Sequence, residues 1–271
     1  MFNRIAFPVR ATLLAGALVL PALTAPAAAV VVLTGAGSYA QDFDTLASTG
    51  DSNTLPAGWA LAETLTNANN RYTASTGSAN AGDTYSFGAT GSTERALGGL
   101  RSGSLAPLFG VVVSNETGRT ITGFDLGFVG EQWRLGTLGR VDRLTVQYSL
   151  NATTLTDGNW IDIAALTFTA PVTAGTVGAL NGNAAANRVA LSHTLDGLSL
   201  AAGGPNISFR FVDFDATGAD DGLAIDDFTL AARFADTQAP IPEPTTWAMF
   251  IAGMGVTGTA ARRRRRVRVL A

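Results

Sequence analysis

Six aspartates fall between positions 213 and 227: Asp213, Asp215, Asp220, Asp221, Asp226 and Asp227. Carboxylates at that density, with Gly218 to permit a tight turn, suit Ca²⁺, which takes about six to eight oxygen ligands. The spacing is not that of an EF-hand. Read from Asp213, Thr217 stands where an Asp or Asn is wanted and Ala224 where the bidentate Glu belongs. A structural calcium is therefore expected within this set, with Asp42 or Asp44 approaching Asp226 or Asp227 if the first and last strands adjoin. The competing expectation is that these are turn residues using Asx geometry, with Arg210 or Arg233 supplying counter-charge.

Gly130-Glu131-Gln132-Trp133-Arg134 holds the second candidate. In a strand, alternation puts Glu131 and Trp133 on one face. There an indole could stack on a sugar ring while the acid accepts hydroxyl hydrogen bonds, a ligand-binding platform for extracellular polysaccharide. Alternatively Trp133 fills the core and Glu131 pairs with Arg95 or Arg101. A carbohydrate-active hydrolase would need paired carboxylates about 5 to 9.5 Å apart, and Glu63, Glu94, Glu116 and Glu131 are the candidates. No catalytic residue is assigned, and the body reads as a non-catalytic structural or glycan-binding module. His193 is the sole histidine, cysteine and lysine are absent, and Cys-His chemistry, multi-histidine zinc sites and a Gly-x-x-x-x-Gly-Lys phosphate loop are thereby excluded. By parity His193 joins Val189, Leu191 and Leu195 on an apolar face, as a core histidine.

These residues need elements to hold them, and the elements read as short strands. Phe124, Leu126 and Phe128 share a face, as do Leu144, Val146, Tyr148 and Leu150, and Ile207, Phe209 and Phe211. A last strand runs from Leu223 to Ala231. No long stretch of the body carries a 3.6-residue period with helix caps, and no repeat of twenty to fifty residues suggests a solenoid. The expected fold is all-β, a jelly-roll-like antiparallel β-sandwich spanning residues 30–237 as one domain. Without cysteine its stability rests on the core.

Charge is distributed unevenly. The body has ten arginines against twenty acidic residues, a net of −10, although the whole chain stands at −3. An acidic surface of this kind repels nucleic acid. The missing positive charge lies at the two ends. Arg4 and Arg10 precede an apolar run from Ala11 to Leu23 and the small residues Ala27-Ala28-Ala29, a secretory signal peptide over 1–29 with the mature protein starting at Val30. At the other end, Pro242-Glu243-Pro244 precedes an uncharged stretch, 245–261, and then Arg262, Arg263, Arg264, Arg265, Arg266 and Arg268. Trp247 to Ala261 would make a helix of roughly 22 Å, short for a bilayer but able to span with thinning and snorkelling. The arginines place its end in the cytoplasm.

This tail, 238–271, resembles the PEP-CTERM tail of exported proteins of Gram-negative bacteria, a tail type that also goes by an ice-binding C-terminal label. The resemblance implies an exosortase-type sorting enzyme and the inner membrane as transient partners, recognition through Pro242, Glu243 and Pro244, and delivery to the cell surface or extracellular matrix. Ice binding is not inferred, because the body offers only short threonine pairs such as Thr167 and Thr169. A second resemblance covers nearly all the body. Gln41-Asp42-Phe43-Asp44-Thr45-Leu46, Leu55-Pro56-Ala57-Gly58-Trp59, Ser92 to Gly98, Gly130 to Arg134 and Gly222 to Phe228 are similar to a recurring exported bacterial jelly-roll module. In larger chains with that module, the chemistry belongs to a neighbouring domain.

Overall fold

The computed structural model of the chain describes residues 30–235. The signal peptide, the Pro242-Glu243-Pro244 motif, the 245–261 span and the arginine cluster lie outside the described residues. Sixteen strands form two facing sheets, with one 3-10 turn at Ala164–Leu166 and no α-helix among the described residues. No helix there is long and apolar enough to cross a membrane.

The seven-stranded sheet contains β1 (Val31–Leu33), β4 (Trp59–Thr64), β8 (Ala106–Asn115), β10 (Arg143–Ser149), β11 (Ile161–Asp162), β12 (Phe168–Thr169) and β15 (Ile207–Asp213). Its spine is β8-β15-β10, with β1 and β4 along one edge and β11 and β12 along the other. The nine-stranded sheet contains β2 (Ser38–Gln41), β3 (Asp51–Ser52), β5 (Tyr72–Ser75), β6 (Asp83–Phe87), β7 (Ala96–Leu100), β9 (Ile121–Leu135), β13 (Gly178–Ala179), β14 (Arg188–Leu200) and β16 (Gly222–Phe234). Here β9 and β16 lie side by side; β14 and β13 flank β9, while β2 and β7 flank β16. Pairing is antiparallel except for β1 with β8 and β5 with β6. The fold is therefore the expected all-β sandwich, with two parallel pairs added.

Alternation explains the core. Phe124, Leu126 and Phe128 of β9 point between the sheets, as do Phe209 and Phe211 of β15, and all five are buried. The layers meet through aromatic edges: Phe124 on Phe209, Phe128 on Phe211 and Trp59 on Phe228 pack edge-to-face at centroid distances of 5.8, 5.3 and 5.2 Å. Such geometry suits the ring quadrupoles and adds about 0.5–1.5 kcal/mol per pair beyond area burial. Two positive-φ residues serve this core. Phe43 (φ 59°) turns inward onto Trp59 at 4.7 Å. Asp227 (φ 49°) sits at a register shift in β16, which lets Phe228 return to the core.

Two expectations fail at the margins of the sandwich. His193 and Val189 have the predicted parity, opposite Leu126 and Gly130, yet both are exposed. They lie on the outermost strand of the wider sheet, where burial falls away. Leu150 is also exposed, because β10 ends at Ser149.

Candidate functional site

The outward face of the nine-stranded sheet is divided into a sealed half and an open half. The sealed half contains Glu131 and Trp133, at 0% and 2% exposure. They do share a face, across a register shift of β9 against β16 at Trp133, and the Trp133 indole Nε1 donates to Glu131 Oε2 at 2.9 Å. Trp133 stacks on Phe87 at 6.0 Å within a second small core with Tyr85, Ala96, Leu100 and Ala224. The chain around Gly182 lies directly on the ring: a Cβ at Gly182 would stand 2.2 Å from Nε1. Neither residue can therefore meet a sugar, and the platform expected at Glu131 and Trp133 is corrected to a structural pair.

Glu131 pairs with neither Arg95 nor Arg101. Its nearest cation is Arg188, at 4.0 Å, and Arg188 also approaches Asp227 at 3.8 Å. Burial raises the Glu131 carboxyl, with its Trp133 hydrogen bond and Arg188 opposing the rise. Burial likewise raises Asp226, to about 8, helped by the neighbouring acids Glu94, Asp227 and Glu131. Arg95 is instead buried with its guanidinium on the hydroxyl and carbonyl of Ser86.

The six aspartates do not converge on one point. Asp213, Asp220 and Asp221 are buried with Asp142, a residue the motif reading did not include. Each ties loops together. Asp221 accepts from the Gly136 amide at 2.7 Å and the Gln132 side chain at 2.8 Å, Asp142 accepts from the Asp221 amide at 2.8 Å, and Asp213 accepts from the Arg101 amide at 3.1 Å. Asp220 closes its own loop through the Ala216 amide, 3.0 Å away, around Gly218 at φ 95°. The counter-charge is Arg140, 2.9 Å from Asp142, 3.6 Å from Asp221 and 3.8 Å from Asp220. Arg140, with Arg101 acting on Asp213 alone, leaves an excess of negative charge among the four carboxylates. Burial foremost, then Asp142, raises Asp213 well above its ordinary value and Asp220 to about 7. Asp221 rises to about 6 through burial.

Asp215 stands apart on the surface, 3.4 Å from Arg101. Asp226 and Asp227 belong to the Glu131 neighbourhood. Among the described residues no group of three or more His, Asp or Glu side chains is arranged to hold a metal ion. Around Asp142 the positive charge is a guanidinium, and these residues as placed do not fit a calcium cage. The last strand adjoins the second strand and not the first, since β1 pairs with β8 in the other sheet. Gln41 of β2 is opposite Phe228 of β16, and Asp42 and Asp227 line one hollow.

The open half is a trough across four strands. Its floor is set by register: Ala40, Thr229, Gly127 and Ser192 form one row, and Ser38, Ala231, Asp125 and Thr194 the next. These are the outward partners of the core residues in β2, β16, β9 and β14, and all are small or short and polar. The depression comprises three adjoining hollows of about 490, 390 and 510 Å³. Asp125, with His193 and Thr194, marks one end; Asp42, Asp227 and Thr45 mark the other. The Thr194 hydroxyl donates to Asp125 at 2.7 Å and, with Arg233, holds its carboxyl below the ordinary range. Sequence reading missed this surface. Its signal is a series of small outward residues in separate strands, which register alone assembles.

No curated protein matches the chain. Among solved structures, the K3 cleaved adhesin domain of Lys-gingipain from Porphyromonas gingivalis W83 aligns with 71% of this chain and 97% of its own, at 13% identity and a TM-score of 0.40. The enzymatically active domain of bacteriophage CBA120 tailspike protein 4 aligns with 65% of this chain at 14% identity and a TM-score of 0.32; the chain spans only 19% of that structure's length. TmCBM61, solved with β-1,4-galactotriose, aligns with 53% of this chain and 74% of its own at 14% identity and a TM-score of 0.28. Likenesses at this level identify neither ligand nor activity. Residues 240–266, which include Pro242, Glu243, Pro244 and Arg262 to Arg266, match the family model of the PEP-CTERM protein-sorting motif. The chain is therefore an exported protein carrying a PEP-CTERM protein-sorting motif behind an all-β sandwich body.

Proposed function

We propose that this is a cell-surface or extracellular-matrix protein, sorted by an exosortase-type enzyme at the inner membrane, whose body binds extracellular polysaccharide without catalysis. Residues 1–29 direct export, and 245–261 with the six arginines anchor the protein in transit. The observation that carries the binding reading is the trough on the open sheet face. It is long, shallow and floored by Ser38, Ser192 and Thr229, with carboxylates at both ends. Sugar hydroxyls are donors and acceptors at once, and such a surface meets both needs.

The hydrolase reading is less well supported. Glu131 is sealed beneath the second core and Glu63 is buried, accepting from the amides of Asn69, Asn70 and Thr84. A carboxylate engaged in that way is a loop staple, unavailable to a substrate.

Calorimetric titration of the body with the producing organism's extracellular polysaccharide tests the binding half, with saturable heat expected. Ser192→Trp, on the trough floor, is expected to abolish that heat while leaving the melting temperature unchanged. Binding that survives this substitution would remove the trough from the function. Replacing Pro242-Glu243-Pro244 with alanines tests the sorting half: unprocessed protein should accumulate in the membrane, and normal processing would refute the assignment.

A further inference from the structure

We infer that the trough selects uncharged, hydroxyl-rich glycan and rejects uronate-bearing or sulfated chains, an inference that rests on the glycan-binding reading above. Apart from His193, which is paired with Leu126 and so has the parity of the opposite sheet face, the ionisable side chains lining its hollows are all carboxylates: Asp125 at one end, Asp42 and Asp227 at the other. The arginines bordering them are already engaged. Arg233 lies 3.2 Å from Asp125 and 3.4 Å from Asp196, while Arg188 lies between Asp227 and Glu131. Recognition of a sugar carboxylate or sulfate calls for a free guanidinium fork or an ammonium. The chain has no lysine, and the two arginines beside the trough face protein acids.

The floor supports the same conclusion. Between the acidic ends it carries hydroxyls, methyls and the bare backbone of Gly127, where a Cβ would come within 2.9 Å of the Thr229 hydroxyl. A neutral sugar can lie along such a floor and donate its hydroxyls to carboxylates at the ends, forming charge-assisted hydrogen bonds. A uronate reaching the same positions meets like charge, and the nearest guanidiniums, Arg233 and Arg188, are already shared between protein carboxylates. Asp125 keeps its charge into acid because Thr194 and Arg233 stabilise the ionised form.

The test separates the organism's extracellular polysaccharide into neutral and acidic fractions by anion exchange, and converts part of the acidic fraction to neutral sugar by carboxyl reduction. Each is titrated into residues 30–235, whose main core is closed by residues between Val31 and Leu230 of the two sheets. Neutral and carboxyl-reduced fractions should bind, and the acidic fraction should bind at least about tenfold more weakly at low salt. That gap should narrow in about 0.5 M NaCl, where charge repulsion is screened. Asp42→Asn, Asp125→Asn and Asp227→Asn together should narrow it at low salt. Equal or tighter binding of the acidic fraction would overturn the selectivity and leave the glycan reading intact. Heat from none of the three fractions would overturn both.

Discussion

One sheet face carries two surfaces of opposite fate. Along β9, Asp125 and Gly127 point the same way as Glu131 and Trp133, yet the first two lie open and the last two are sealed. The strand is continuous, in unbroken register with β14 from Asp125 to Glu131 and with a register shift against β16 at Trp133. What differs is the covering: the chain around Gly182 and the aromatic rings of β6 close over Trp133, whereas nothing among the described residues covers Gly127. Residue type is therefore a poor guide to ligand contact here. The indole and the acid that look like a sugar platform are structural, and the plain residues beside them form the accessible face.

The largest test of this contrast is Trp133→Ala. Emptying the second core should cost about 3–5 kcal/mol in denaturant unfolding, whereas Ser192→Trp on the open half should stay within about 0.5 kcal/mol. Similar costs for the two would erase the distinction between sealed and open. Arg140→Met addresses a surface sealed by charge. It leaves Asp142, Asp220 and Asp221 uncompensated and should destabilise by about 3 kcal/mol near pH 8. The loss should shrink near pH 5.5, where carboxyls at about 7 and 6 have taken up protons. A smaller effect is expected from Gly182→Ala, whose Cβ must displace the Trp133 indole, at roughly 1–3 kcal/mol. Thermal melts would detect it, and an unchanged melt would mean that the covering chain yields freely.

The pH dependence follows from the same buried acids. Asp213, Asp220, Asp221, Asp226 and Glu131 all hold their protons more tightly in the fold than in the unfolded chain. The folded state thus binds more protons, and stability falls as pH rises. Their contribution is complete below the ordinary carboxylate range and is lost as pH climbs through about 6 to 8. A melting temperature several degrees higher at pH 5.5 than at pH 8.5 is expected, and Asp226→Asn should flatten the upper part of that slope. A melt that improves with alkalinity would contradict the burial of these groups. The smallest expected effect is that of Asp125→Asn, which should alter ligand selectivity with almost no change in melting temperature.

Much of the fold was legible in local pattern. The inward sets Phe124, Leu126, Phe128 and Ile207, Phe209, Phe211 are strands with the expected faces, and β16 begins and ends within a few residues of the predicted Leu223–Ala231. Much less of the site could be read. Asp142 and Arg140 stand some eighty residues before the aspartates they join, and no spacing rule links them. His193 has the parity of a core residue and lies exposed, because the outermost strand extends past the cover that parity presumes.

The amino-acid sequence by itself determined the class of fold, the direction of each side chain along its strand and the sorting motif at 240–266. All three are local: a period of two follows from strand geometry, and a sorting address is contiguous by nature. Only the tertiary structure decided that Glu131 and Trp133 are covered, that Arg140 balances the acidic loop, and that small residues from four strands line one trough. Those outcomes depend on strand register and on segments remote in sequence packing over a face, neither of which leaves a periodic trace in the chain.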